Sequence, residues 1–382
     1  MRLDSIRKIV IAPDSFKGSI SAHDAAEAIR VGLLQGWGGA GTAPELLCLP
    51  IADGGEGTLD ALVAPEHRIS VTVTGPDGAP CHAQYGGLGD TAVIEMASAA
   101  GLTLIPQACR SAAKATTYGV GELIRHAIRR GYRSILLTVG GSATNDGGCG
   151  MLAALGAEFR DARGHTFLPT GGTLSEIAAI ELAGLDPLLS QCRFTVAADV
   201  RNPLCGETGA TRIYARQKGA ADRELDEMER GMKHYADLLC SLCGRPVADI
   251  EGCGAGGGLA APLLAFADTE IRSGIEAVLS TLHFDQALQG AGLVITGEGK
   301  IDRQSLFGKA ISGVAKAAGA RGIAVYCFVG CMGDDKNQLL SMGVRDILAI
   351  SDYADSPEDS MRRAGELLRS MAADFASRIC GI

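Results

Sequence analysis

A chain of 382 residues exceeds the usual size of one domain, so two domains are expected. Apolar residues make up 47% of it and aromatic ones only 4%, which allows packed cores built from Ala, Val, Leu and Ile. The formal charge of −9 excludes a basic nucleic-acid surface, no apolar run reaches transmembrane length, and the 12 cysteines of so long a chain form no disulfide framework; a soluble cytoplasmic protein is expected.

In chain order, Lys8 to Ala12 reads as a buried strand that breaks at Pro13, and Ser21 caps a helix with Ala25, Ala26, Ile29 and Leu33 on one face. A second strand, Glu45 to Ile51, runs through ADGGEG into a helix from Thr58 to Val63. Strand, turn and helix repeated in this way signal a parallel sheet. From His67 the texture changes: Ile69 to Thr74, HAQYGGL and AVIEMA alternate as short strands of a meander. A helix over Gly119 to Arg130 and a strand over Ser134 to Val139 lead into GGSATNDGGCG. Then come a helix over Met151 to Ala157, a strand over Arg193 to Ala198, a charged helix over Arg223 to Leu242, and a glycine run over Glu251 to Gly258 before an apolar helix. After Gly290 the parallel texture returns, with AGLVITGEG as strand and turn, a helix over Ser305 to Ala318 and a strand over Ile323 to Val329. A helix over Asn337 to Met342, a strand over Asp346 to Ile350 and one closing helix over Glu358 to Arg378 complete the chain. The expected fold is α/β in two domains: residues 1–66 and 290–382 form a parallel-sheet domain from both chain ends, and residues 67–289 an inserted mixed-sheet domain, with crossings at Pro65 to Arg68 and Leu288 to Ala291.

Ligands of open α/β sheets bind beyond the carboxyl ends of the strands. Five segments there share one chemistry: Asp14, Ser15 and Lys17; Asp53 and Glu56; Gly140, Gly141, Ser142, Thr144, Asn145 and Asp146; Asp199, Arg201 and Asn202; and Glu298, Lys300, Asp302 and Lys309. Carboxylates beside cations and glycine backbone suit metal-assisted chemistry on an anion, with Asp or Glu for Mg²⁺ and Lys or Arg for phosphate and carboxylate oxygens. Helix capping is the competing role for Asp14 and Ser305. Arg303 stands where a P-loop needs its first glycine and Ala310 where it needs Ser or Thr. Gly252, Gly254 and Gly257 satisfy GxGxxG, but only a short strand precedes them. Cys240 and Cys243 form a lone CxxC without further zinc ligands and read as core thiols.

Taken together, IAPDSFKGS, PIADGGEGT, GGSATNDGG, DVRNPLCGETGA, QKGA and TGEGKIDRQSLFGKA resemble the bacterial class I glycerate kinases, in the same order and essentially end to end. The resemblance implies a flavodoxin-like domain made from both chain ends, an inserted α/β domain likened to restriction endonucleases, and an active site in the cleft between them. It implies ATP-dependent phosphorylation of D-glycerate, generally to 2-phosphoglycerate. With ATP and Mg²⁺ as cofactors, Lys17, Arg201 and Lys309 are the candidates for the glycerate carboxylate and the ATP phosphates. Asp199 and Asp302 are candidates for holding Mg²⁺ or accepting the hydroxyl proton, and the loop from Gly140 to Gly148 offers N–H groups to the triphosphate. Arg216 and Ile311 occupy places where relatives commonly have proline. Four other readings stay open: a kinase for a related hydroxy acid such as tartronate, a 3-phosphoglycerate-forming enzyme, a nucleotide-dependent oxidoreductase using the Gly252 loop, and a non-catalytic hydroxy-acid sensor. Monomer and homodimer are equally open.

Overall fold

The computed structural model describes residues 6–38, 43–300, 310–332 and 336–380. In chain order its strands are β1 (Lys8–Pro13), β2 (Glu45–Cys48), β3 (Arg68–Thr74), β4 (Pro80–Leu88), β5 (Thr91–Glu95), β6 (Ser134–Thr138) and β7 (Glu158–Arg160). They continue as β8 (Thr166–Phe167), β9 (Ala179–Glu181), β10 (Arg193–Ala197), β11 (Asp268–Arg272), β12 (Leu293–Lys300), β13 (Ala324–Cys331) and β14 (Val344–Ala349). By their contacts the residues fall into two compact units: Met1–Asp53, Asp60–Leu62 and Gly274–Ile382 form one, and Gly54–Leu59 with Val63–Ser273 the other.

The first unit holds a five-stranded, all-parallel sheet in the order β14-β13-β12-β1-β2. Numbered within the unit this is the 2-1-3-4-5 order of flavodoxin-like folds, as the resemblance implied. Successive strand residues face opposite sides, so Ile9 and Ile11 meet Leu293, Ile295 and Phe328 on one face. The helices Ala22–Trp37 and Ala364–Cys380 cover that face with Ile29, Leu33, Leu368 and Phe375. Ser21 caps the first of these by accepting from the Asp24 N–H at 3.0 Å.

The second unit is built on a six-stranded mixed sheet, β11-β10-β6-β5-β4-β3. β3, β4 and β5 form the antiparallel meander, and β5, β6, β10 and β11 run parallel. The helix Tyr118–Arg129 lays Val120, Leu123, Ile124 and Ile128 on Ile94, Ile135 and Leu137 of the sheet. A separate core gathers Met232, Tyr235 and Leu239 of the helix Asp222–Cys243 with Phe159 and Ile180 of a small sheet, β8-β7-β9.

The sequence reading departs from this architecture in several places, of which three bear on the units. The expected single closing helix is two, Pro357–Arg362 and Ala364–Cys380, because Arg363 leaves helical dihedrals at φ −107° and ψ 18°. The helices Gly274–Thr281 and Phe284–Ala287 belong to the first unit, so the return crossing precedes the expected Leu288 to Ala291. The strands β7, β8, β9 and β11 were not anticipated; the first three are two or three residues long, and β11 is the charged edge segment DTEIR. No helix among the described residues is long and apolar enough to cross a membrane.

Candidate active site

β6 and β10 pair in parallel, so the loops at their carboxyl ends leave the sheet side by side. A cavity of about 240 Å³ opens there in the second unit. Backbone of Gly54, Gly55, Gly140, Gly141 and Gly256 forms much of its wall, and Ser142, Asp199, Tyr214, Gln217 and Lys218 supply its polar side chains. Gly141 sits at φ +67°, where a Cβ would also lie 2.0 Å from Glu56 Oε1. A side chain there would therefore displace the Glu56 carboxylate.

Lys218 ends a single turn of 3-10 helix, Arg216–Lys218, and is only 3% exposed. Its Nζ donates to Ser142 Oγ and to the Thr144 carbonyl, both at 2.7 Å. Burial pulls the Lys218 ammonium down to about 7, and the Asp146 charge opposes that shift. Among the candidate site side chains this one was missed. Its only signal was its place in QKGA, one of the motifs that carry the family resemblance.

The loop after β6 divides its labour. Gly140, Gly141 and Ser142 reach the cavity. Thr144, Asn145 and Asp146 are fully buried and are absent from its lining. Asp146 Oδ2 accepts from Thr117 N and Thr117 Oγ1 at 2.8 Å and from Gly150 N at 3.2 Å, and its Oδ1 accepts from Gly148 N at 3.1 Å. Asn145 Nδ2 donates to Thr211 Oγ1 at 2.9 Å. The carboxylate expected to meet a ligand is thus occupied with holding its own loop. Burial raises the Asp146 carboxyl, and these donors oppose the rise.

After β10, Asp199 is exposed on the cavity lining and Arg201 is exposed beside it. Asn202 is a brace: its Nδ2 donates to the Thr208 carbonyl at 2.7 Å and its Oδ1 accepts from the Tyr214 hydroxyl at 2.5 Å. The GxGxxG run supports the same cavity. Gly147 N donates to the Gly257 carbonyl at 3.0 Å, and a Cβ on Gly257 would lie 2.1 Å from the Thr144 carbonyl oxygen. These glycines pack loop against loop.

In the first unit the ends of β1 and β12 are in register, with Pro13 opposite Gly297. Asp14 follows β1, donates its N–H to the Gly297 carbonyl at 2.8 Å, and accepts from Ser15 N at 2.5 Å. Burial pushes the Asp14 carboxyl up to about 6; the nearby Asp53 charge adds to the rise, while Ser15 and Lys17 oppose it. Ser15 and Lys17 are exposed, and Glu298 lies half-buried on β12. Asp302 and Lys309 lie outside the described residues, as do Arg303 and Ser305. Of the two positions where relatives commonly have proline, Arg216 pairs with Asp222 at 2.6 Å on the surface and Ile311 is buried in the first turn of the helix Ala310–Gly319.

Residues 9–380 match the model of the glycerate kinase family. A Bacillus subtilis (strain 168) glycerate kinase is 44% identical over 376 residues, covering 97% of both chains. An Escherichia coli (strain K12) glycerate 2-kinase is 40% identical over 377 residues, covering 97% of this chain and 98% of that one. A Salmonella typhimurium LT2 chain, solved by crystallography as a candidate glycerate kinase 2, superposes with a TM-score of 0.86 at 41% identity over 98% of each chain.

Proposed function

The chain belongs to the glycerate kinase family, and from that premise we propose that it transfers the γ-phosphoryl group of ATP to the 2-hydroxyl of D-glycerate, giving 2-phosphoglycerate. One observation carries the reading: the cavity of the second unit is walled by glycine backbone and holds a buried lysine. Its volume of about 240 Å³ falls below the roughly 300–1,000 Å³ of common ligand pockets, which suits a small hydroxy acid.

Phosphoryl transfer through a loose transition state asks the protein for positioning and charge neutralisation more than for covalent chemistry. Arg201 and Lys17, both exposed, are assigned to the carboxylate and phosphate oxygens. Backbone N–H groups of Gly140, Gly141 and Ser142, the part of the loop that reaches the cavity, are assigned to the triphosphate. Lys309 keeps the phosphate role and Asp302 the carboxylate role that the sequence gives them. Asp14, Ser15, Asp53, Glu56 and Glu298 are assigned to the same reaction.

Magnesium fits the donor chemistry: it takes one or two protein carboxylates and completes its shell with water and phosphate oxygens, and Asp199 is exposed on the cavity lining. Asp199 and Asp302 would hold it. When bound, the ion neutralises charge on the phosphate oxygens.

The test is to incubate the protein with ATP, Mg²⁺ and D-glycerate and identify the product by phosphorus NMR, with tartronate in a parallel arm. Phosphate on the 2-hydroxyl supports the reading, 3-phosphoglycerate overturns its regiochemistry, and no ADP formation with glycerate overturns the activity. Arg201→Ala should raise KM for glycerate roughly tenfold while kcat stays near the wild-type value. An unchanged KM would remove Arg201 from the carboxylate role.

A further inference from the structure

The assignments above give Lys218 no ligand atom to meet, yet it lines the cavity and is the lysine buried within the second unit. Two of its N–H bonds go to neutral acceptors, Ser142 Oγ and the Thr144 carbonyl. Asp146, the carboxylate whose charge it feels, is held by donors from Thr117, Gly148 and Gly150. An enclosed ammonium whose hydrogen-bond partners are neutral is costly. Two arrangements relieve that cost: an amine whose lone pair faces the cavity, or an ammonium whose third N–H meets an anion inside it.

We propose that Lys218 is the receptor for an oxyanion, carboxylate or phosphate, that enters this cavity, and that the anion's arrival brings a proton from solvent onto Nζ. The new N–H bond forms from the nitrogen lone pair and donates to the incoming oxygen; no other bond breaks. The inference rests on the kinase reading for the identity of the anion. The lowering of Lys218 to about 7 by burial agrees with it, because the residue then changes charge near neutral pH. The other charged or titratable groups around it are accounted for. Asp199 and Tyr214 share the lining, and burial pushes the Tyr214 phenol up, so it stays neutral. Glu56 lies against Gly141. Arg110, beside Gly219, directs its guanidinium to the carbonyls of Ile105 and Leu102.

The experiment is calorimetric titration of the full chain at pH 8, in buffers of different ionisation enthalpy. D-glycerate is the probe in one arm and a non-hydrolysable ATP analogue in the other. About one proton should be taken up per ligand bound in one arm, falling toward zero at pH 6 where Lys218 is already charged. Uptake with glycerate identifies a carboxylate, and uptake with the analogue a phosphate. Lys218→Met should abolish the uptake and weaken that ligand roughly 10- to 100-fold, the worth of one hydrogen bond to a charged group. Should this variant fail to fold, the wild-type comparison between pH 8 and pH 6 decides alone. Absence of uptake in both arms at pH 8, or uptake preserved in folded Lys218→Met, overturns the proposal. ADP formation measured alongside separates the two readings. An active enzyme that takes up no proton loses only the role of Lys218; uptake lost in Lys218→Met without ADP formation keeps that role and sinks the kinase.

Discussion

At the scale of single residues, two carboxylates near strand ends, the fully buried Asp146 and the half-buried Asp14, behave oppositely. Asp146 accepts four hydrogen bonds from protein donors and is 0% exposed, so its work is structural. In Asp146→Asn an amide NH₂ replaces an acceptor and faces one of those donor sets, leaving buried donors without partners. The variant should lose about 3 kcal/mol of stability, read as a lower urea midpoint. Wild-type stability combined with a raised KM would instead make Asp146 a ligand. Asp14 is the converse case. Its carboxyl is raised from 3.8 to about 6 in the folded chain, so between those values the folded state binds the proton that the unfolded state releases. Stability from this group is therefore fully present below pH 4, declines as pH rises to 6, and is level above. Asp14→Asn removes the buried charge and keeps an oxygen for the Ser15 N–H. It should be more stable than the wild type at pH 7, by up to about 3 kcal/mol, with the difference closing by pH 4. A pH-independent difference in denaturation midpoint would contradict the raised carboxyl. On the role proposed for Asp14, the same raised carboxyl serves the reaction, and the stabilised variant should then also turn over more slowly.

Among the loops, glycine does two different jobs at the cavity. Gly257 has φ +76° and its absent Cβ would strike the Thr144 backbone at 2.1 Å, whereas Gly141 has φ +67° and would strike chiefly the end of the Glu56 side chain, with Ala97 Cβ at 3.3 Å. Backbone cannot step aside, and a carboxylate can. Gly257→Ala should cost roughly 3 kcal/mol or more, Gly141→Ala only about 1–2 kcal/mol from its backbone conformation. Thermal melts of the two variants check the order; equal losses would mean that the glycine run does not brace the loop. These loops also mark where sequence reading stops. The strands of both sheets were legible because their apolar runs are short and bounded by glycine and proline, and the cap at Ser21 because a serine before helical spacing has few other uses. The strand β11 was not, since DTEIR is a charged edge segment whose pairing with β10 is set by tertiary contacts. The hydrogen bonds of Asp146 and the burial of Lys218 were hidden for a related reason. A carboxylate among glycines looks the same whether it meets a ligand or its own loop, and a lysine beside a glycine gives no sign that it will be buried.

For the whole molecule, the consequence of a chain whose two ends share one sheet is that neighbouring strands are remote in sequence. β1 pairs with β12 across most of the chain, and the core beneath them is completed by the helix Ala364–Cys380. The second unit assembles its own core between the sheet and the helix Tyr118–Arg129. Leu368 belongs to the first core and Leu137 to the second, and both are 0% exposed. Truncating a buried leucine to alanine costs about 2–5 kcal/mol, through lost burial and the cavity left behind. If each core stabilises the segments packed on it, the loss is local in space and discontinuous in sequence. Hydrogen exchange read by mass spectrometry should then show Leu368→Ala loosening amides of β1, β12 and the helix Ala22–Trp37, with β5, β6 and β10 little changed. Leu137→Ala should give the reverse pattern. A uniform rise across the chain in either variant would mean that one cooperative core spans all of it, and that a single unfolding free energy describes the protein.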